Sequence, residues 1–287
     1  MASDAHAALQ ASLGELGSAR LRYAAAMTLY NAGQISAEVL EVYRSCASLD
    51  GQDPLVLIAE YGLQSPVAAI AISSLLTQID RYLATLNGPG IADVRQGIEA
   101  AQATKIMPQT PASNPVISSY LDAALDATAN QIPQLAANIR AASPHLKWVT
   151  YDGYAPLDIG TDFAQGHAFT SLLGHDAPIA AKNFDLGLFL IAPNVLYRDH
   201  NHAAPELYAP LTGPHGWRFA PDTPLFVKAA HQPIWNAPYA PHLTKVGAVP
   251  FLCIFAWTRD VDALAQVIPA SDWTVLEALR LGGVDAA

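Results

Sequence analysis

The chain has 287 residues, of which 52% are hydrophobic and only 14% charged, so it can bury a sizeable core and is not disordered as a whole. Its 15 basic and 25 acidic residues give a formal net charge of −10, which argues against a nucleic-acid or anionic-membrane partner. The opening Met1-Ala2-Ser3-Asp4-Ala5-His6 lacks the basic and apolar regions of a secretory signal, and no apolar run is long enough to cross a bilayer. These features predict a soluble, cytoplasmic protein.

The first part of the chain is rich in Ala and Leu. Leu9, Leu13, Leu16, Leu21 and Met27 recur at near-helical spacing and predict a helix over about 5–29, stopped by Asn31-Ala32-Gly33. Ser36 is suited to cap a second helix reaching Ala47. Ser65-Pro66 opens a third, closed near Leu86 by Asn87-Gly88-Pro89-Gly90, and a fourth covers 91–104. Residues 1–110 thus read as a helical region without a chemical motif, its Ala/Leu faces suited to a core or a dimer surface. A DNA-binding helix-turn-helix is poorly supported there, because arginines are few and no basic cluster occurs.

Residues 107–115 hold three prolines in nine positions and read as a linker. One more helix is predicted over 116–142. From Lys147 onward the pattern changes to short apolar runs, at 147–151, 186–191, 225–227 and 249–257, separated by Gly, Pro, Asn and Asp. Many short strands with frequent turns predict a β-sandwich or barrel within 115–287. The two cysteines, Cys46 and Cys253, form neither a zinc-type pair nor a disulfide framework and read as small buried hydrophobes.

Eight of the nine histidines lie at or after His145. The informative segment is Tyr197-Arg198-Asp199-His200-Asn201-His202-Ala203-Ala204-Pro205-Glu206-Leu207-Tyr208. Residues two apart on a strand share a face, so His200 and His202 point the same way, and Glu206 and Tyr208 form a second such pair after a short turn. Two adjacent strands can present two imidazoles, a carboxylate and a phenol to one point, a donor set that suits zinc, iron, manganese or nickel rather than calcium. Arg198 and Asp199 alternate with the inward positions and read as a solvated pair. His145, His167, His175 and His215 read as surface or loop residues. Arg218 and Lys182 are available to bind a carboxylate.

H-x-H, three residues, Glu, six residues and Gly, here His200, His202, Glu206 and Gly213, resembles the first motif of the cupin barrels. Asn194 stands where that motif begins with Gly, and Asn tolerates a left-handed turn well. The second cupin motif supplies a further histidine, His242, with His231 as the competing position. Tyr197, His200, His202, Glu206 and Tyr208, followed by Leu211, Gly213 and Trp217, then Pro241-His242 ahead of Gly247, Pro250 and Trp257, are similar to the bacterial cupin-type dimethylsulfoniopropionate (DMSP) lyases. The similarity extends over about residues 115–260.

The resemblance implies an α+β fold, a helical N-terminal region (1–110) followed by a cupin double-stranded β-helix barrel (115–287) that carries catalysis. It implies a divalent transition metal, zinc, iron, manganese or nickel, surrounded by His200, His202, Glu206 and His242, with Tyr208 beside it or ligating it. Tyr197 is then the catalytic base of a β-elimination that gives dimethyl sulfide and acrylate. Aromatic faces would meet the sulfonium, and Trp217, Tyr239, Tyr151, Tyr154 and Trp257 are available. The competing readings are another metal-dependent cupin enzyme, an isomerase or oxygenase acting on a small carboxylate, and a non-catalytic ligand-binding sensor. The expected partner is a small zwitterionic or carboxylate substrate, and a homodimer is compatible because cupins often pair.

Overall fold

A computed structural model of the protein describes residues 11–63, 65–102 and 104–281, together with Ala5, Ala8 and Leu9. The chain divides into two compact units, Met1–Ser74 and Leu75–Ala287. The composition changes near residue 110, but compactness divides the chain earlier, inside a helix.

The first unit is helical. The helix predicted over 5–29 is interrupted: α1 spans Ser18–Asn31, and Gly17 precedes it in the left-handed conformation, φ 83°, where a side chain would be strained. The start of α1 is capped from afar by Asp50, whose carboxylate accepts from the Gly17 amide at 2.9 Å and the Ala19 amide at 2.8 Å. Ser36 caps α2 (Ala37–Ser45) as expected, accepting from the Val39 amide at 3.3 Å. A further helix not expected from the periodicity, α3 (Pro54–Glu60), starts on Asp53 as cap and Pro54 at its first position. Leu29, Val42, Tyr43 and Ile58 form the buried centre of this unit. The division falls within α4 (Pro66–Leu83).

After the last turns of α4, the second unit continues with α5 (Ile91–Ala101) and then a pair of helices where one was predicted. Over 116–142 the chain forms α6 (Pro115–Ala129) and α7 (Pro133–Ala142), because Pro133 cannot donate into a continuing helix and disfavours helical geometry in the residue before it. Two short turns, α8 (Pro156–Ile159) and α9 (Thr161–Gln165), lead into the strands.

Eleven strands are named in chain order: β1 (His167–Gly174), β2 (Ile179–Ala180), β3 (Asp185–Ile191), β4 (Leu196–Asn201), β5 (Glu206–Pro210), β6 (His215–Arg218), β7 (Phe226–Lys228), β8 (Ile234–Asn236), β9 (His242–Lys245), β10 (Phe251–Trp257) and β11 (Gln266–Val267). They form a six-stranded sheet in the order β2-β1-β3-β10-β5-β8 and a five-stranded sheet in the order β11-β4-β9-β6-β7. The neighbours are antiparallel except β1 and β2. The sequence-distant pairings β3·β10 and β4·β9 build the double-stranded β-helix, and with the helices they make an α+β cupin fold. Phe189, Ile191, Phe251 and Phe255 from one sheet meet Tyr197 and Trp217 from the other in the buried interior. Cys46 and Cys253 are free thiols, both buried, as expected.

The outer face of the second sheet corrects the reading of Arg198 and Asp199 as solvated. Asp199 and Arg218 are both fully buried and paired with each other, and Arg218 also holds Asp272. The Trp273 indole donates to Asp199 at 2.7 Å, and Arg198 lies over the Trp273 ring and pairs with Glu277. Trp273 and Glu277 belong to α10 (Trp273–Ala278), which seals these charges against the sheet. Arg218 is therefore committed to the fold and does not face a ligand.

Candidate active site

Strand geometry aims the site residues. By simple alternation Tyr197 and His200, three apart on β4, would face opposite ways. The β4·β9 register shifts between them, and this irregularity returns both rings to the barrel interior, stacked with centroids 3.8 Å apart. The same register sets His200 directly opposite His242 on β9. His202 follows the end of β4, and a short turn brings Glu206 to the start of β5 with Tyr208 on the same face. Asn194 adopts the left-handed turn expected of it, φ 64°. Gly213 must lack a side chain, since a β-carbon there would lie 2.5 Å from the Ala230 amide nitrogen.

His200, His202 and His242 are buried, and a ring nitrogen of each lies within 4.8 Å of the others. Each is oriented alike from behind. His200 Nδ1 contacts the Arg198 carbonyl at 2.8 Å, His202 Nδ1 the Ala204 carbonyl at 2.8 Å, and His242 Nδ1 the Ala240 carbonyl at 3.0 Å. A carbonyl only accepts, so each Nδ1 carries a proton; Nε2 of His200 and His242 then keeps its lone pair for the interior, while Nε2 of His202 faces the Glu206 carboxylate. The Nε2 atoms of His200 and His242 are buried with no hydrogen-bond partner. Orphaned buried acceptors are costly, and three convergent imidazoles fit a transition-metal ion. The cluster could hold a metal.

Glu206 completes the group. Its Oε2 lies 3.3 Å from His202 Nε2 and 3.4 Å from His242 Nε2, and it accepts from Asn236 Nδ2 at 2.9 Å. Its Oε1 accepts from the Trp257 indole at 2.7 Å. Burial alone would push Glu206 up, but His202 and His242 outweigh it and hold the carboxyl well below its usual range. Burial drives His200 well below the usual imidazole value, helped by its two histidine neighbours. For His202, burial pulls down and the adjacent Glu206 carboxylate prevails, so it is raised.

A cavity of about 210 Å³ reaches this cluster at His202 and Glu206, and Tyr197 and Tyr208 line it as well. Its size suits a small metabolite rather than a drug-sized ligand. Tyr154 and Tyr197 join hydroxyl to hydroxyl at 2.9 Å. Burial raises both Tyr197 and Tyr208 well above the usual phenol value, with neighbouring Tyr154 and Glu206, respectively, adding to it. Without a nearby cation both phenols are protonated.

Of the expected aromatic wall, Tyr151, Tyr154 and Trp257 line the cavity. Trp217 and Tyr239 do not. Trp217 is sealed in the core against Tyr208 and Phe251, whereas Tyr239 is 67% exposed on a loop with φ 60°. His231, the competing ligand position, lies away from the cluster, its Nδ1 3.0 Å from the Tyr82 hydroxyl. Two histidines read as surface or loop residues are buried instead. His215 accepts from the Gly247 amide at 3.1 Å, and His167 accepts from the Tyr151 amide at 3.0 Å and lines the cavity. Asn236 and Asp185 are further site residues that no motif announces.

A family model for dimethylsulfoniopropionate lyase matches residues 92–253, more than half of the chain. Among solved structures, the DMSP lyase DddQ from Ruegeria pomeroyi DSS-3 is similar at 21% identity and a TM-score of 0.58, over 69% of this chain and 95% of that one. A chain from the crystal structures of the DMSP lyases RdDddP and RnDddQII is similar at 18% identity and a TM-score of 0.55, over 70% of this chain and 100% of that one. No curated protein sequence matches this chain.

Proposed function

This chain belongs to the dimethylsulfoniopropionate lyase family and is a lyase, and on that premise we propose that it cleaves DMSP to dimethyl sulfide and acrylate with the help of a divalent transition metal. The observation that carries the reading is the convergence of three buried, carbonyl-oriented imidazoles and Glu206 beneath a small cavity that two tyrosines also line. We assign catalysis to the barrel, residues 115–287, which contains all of these groups.

The chemistry asks for little acid and a strong base. The sulfonium leaves as neutral dimethyl sulfide, so nothing need protonate it. The difficult step is loss of a proton alpha to a carboxylate. His200, His202, Glu206 and His242 would hold the metal, which when bound supplies positive charge that neutralises the substrate carboxylate and draws nearby phenols toward phenolate. Tyr197 is assigned as the base. Its oxygen accepts the α-proton, the C–H electron pair becomes the new carbon–carbon double bond, and the carbon–sulfur pair departs with sulfur. Tyr154, within 2.9 Å of the same oxygen, positions it and can take part in relaying the proton outward. Tyr208, whose ring centroid lies 6.5 Å from that of His242, is a further donor near the cluster.

Headspace detection of dimethyl sulfide from purified protein, with and without chelator, tests the reading. Production that stops on chelation and returns with added metal supports it. Tyr197→Phe should retain metal and lose roughly 10²–10⁴-fold in turnover, the usual worth of a positioned base. His202→Ala should lose metal and turnover together. A fully active Tyr197→Phe would remove Tyr197 as the base and leave Tyr208.

A further inference from the structure

One row of residues crosses four adjacent strands on the inner face of the first sheet. Asp185 on β3 pairs with Trp257 on β10, Trp257 with Glu206 on β5, and Glu206 with Asn236 on β8. Asp185 and Glu206 line the same cavity, one at each side of the Trp257 indole. Two strand spacings separate them, about 10 Å between backbones. Asp185 Oδ1 is buried and has no hydrogen-bond partner. Among the described residues lining the cavity there is no lysine or arginine, so no protein cation answers this carboxylate.

We propose that Asp185 is the counter-anion that recognises the cationic end of the substrate, and this rests on the lyase reading for the identity of that end. A two-carbon zwitterion with its carboxylate toward His202 and Glu206 places its cation across Trp257, on the Asp185 side of the cavity. Tyr151, Phe169, Phe255 and Trp257 also line the cavity, and aromatic faces favour a cation over a neutral group of the same shape. Burial pushes Asp185 up to about 6, so the carboxylate is poorly solvated where it sits. The Ser171 hydroxyl and the Leu186 amide oppose that shift without cancelling it.

The chemistry gives this contact a signature. As the carbon–sulfur bond breaks, sulfur loses its positive charge, so the attraction to Asp185 is strongest before the transition state and fades within it. Asp185 then lowers KM without raising kcat. Asp185→Asn should raise KM by about ten- to a hundred-fold, the worth of a charge-assisted contact, while kcat stays level or rises.

A binding experiment separates this from turnover. β-(Trimethylammonio)propionate and its carbon isostere β-tert-butylpropionate share a shape and differ in charge at one end. By calorimetry with metal-loaded protein, the wild type should prefer the cationic analogue by about tenfold or more, and Asp185→Asn and Asp185→Ser should lose the preference while keeping affinity for the neutral one. Equal affinities in the wild type, a preference that survives both substitutions, or an equal loss of both analogues would each overturn the proposal. If the wild type makes no dimethyl sulfide, the lyase reading fails, and the cation preference and its loss still decide the role of Asp185.

Discussion

The indole of Trp257 donates to Glu206 Oε1 at 2.7 Å while its ring lies over His202, centroid to centroid at 4.5 Å. A single side chain thus fixes one oxygen of the carboxylate and packs against an imidazole of the same cluster. Asn236 fixes the other oxygen. Both oxygens of the carboxylate are thus fixed from outside, the arrangement by which groups behind a metal site raise its affinity.

Trp257→Phe keeps the aromatic face and removes the donor. Metal affinity should fall about 10–100-fold, the usual cost of deleting such a partner, with the fold intact by circular dichroism. Competition with a fluorescent chelator reads the affinity. An unchanged value would mean that Glu206 holds its place without the indole.

How much of this was legible in the sequence depends on the range of the contact. His200, His202, Glu206 and Tyr208 fall within nine positions, and strand alternation with one turn suffices to group them. His242 rests on its resemblance to a second motif, and the structure sets it as the register partner of His200. Asp185, Asn236 and the Trp257 donor escaped because strand order, not local spacing, sets them in one row. The irregularity that turns Tyr197 inward also had no local signal. Asp199 and Arg218 were misread for a related reason, since burial of the outer sheet face depends on α10, more than fifty residues downstream of Arg218.

Arg218 is fully buried between Asp199 and Asp272. Arg218→Ala leaves Asp199 buried without its countercharge and should cost about 3–5 kcal/mol in denaturant unfolding. Replacing both members, Arg218→Met with Asp199→Leu, should recover much of that loss, because no unpaired charge remains. A double variant as unstable as the single one would show that Trp273, which also bonds Asp199, depends on the carboxylate.

Two buried histidines set an acid limit on the fold. Burial pushes His167 down to about 4 and His215 to about 3. An unfolded histidine titrates near 6.5. Below that pH the unfolded chain takes up protons that the folded chain cannot, so stability falls as pH drops, until about 4 for His167 and about 3 for His215. Each unit of this window is worth about 1.4 kcal/mol per group. Guanidinium unfolding between pH 7.5 and 5 should show the decline, and His167→Gln should lessen its slope.

Asp185 runs the opposite way. Its folded value of about 6 lies above the unfolded aspartate value, so the folded state holds a proton that the unfolded state has released between about 4 and 6. Above pH 6 the ionised carboxylate costs the fold on the order of 2–3 kcal/mol. As pH falls through 6 that cost is relieved, and below about 4 it is gone. Asp185→Asn should therefore unfold at higher denaturant concentration than the wild type at pH 8, by less at pH 5, and by nothing at pH 4. A side chain kept only for packing would show a loss at every pH. A gain at pH 8 that arrives together with weakened substrate binding would mark a residue retained for its ligand at the expense of the fold.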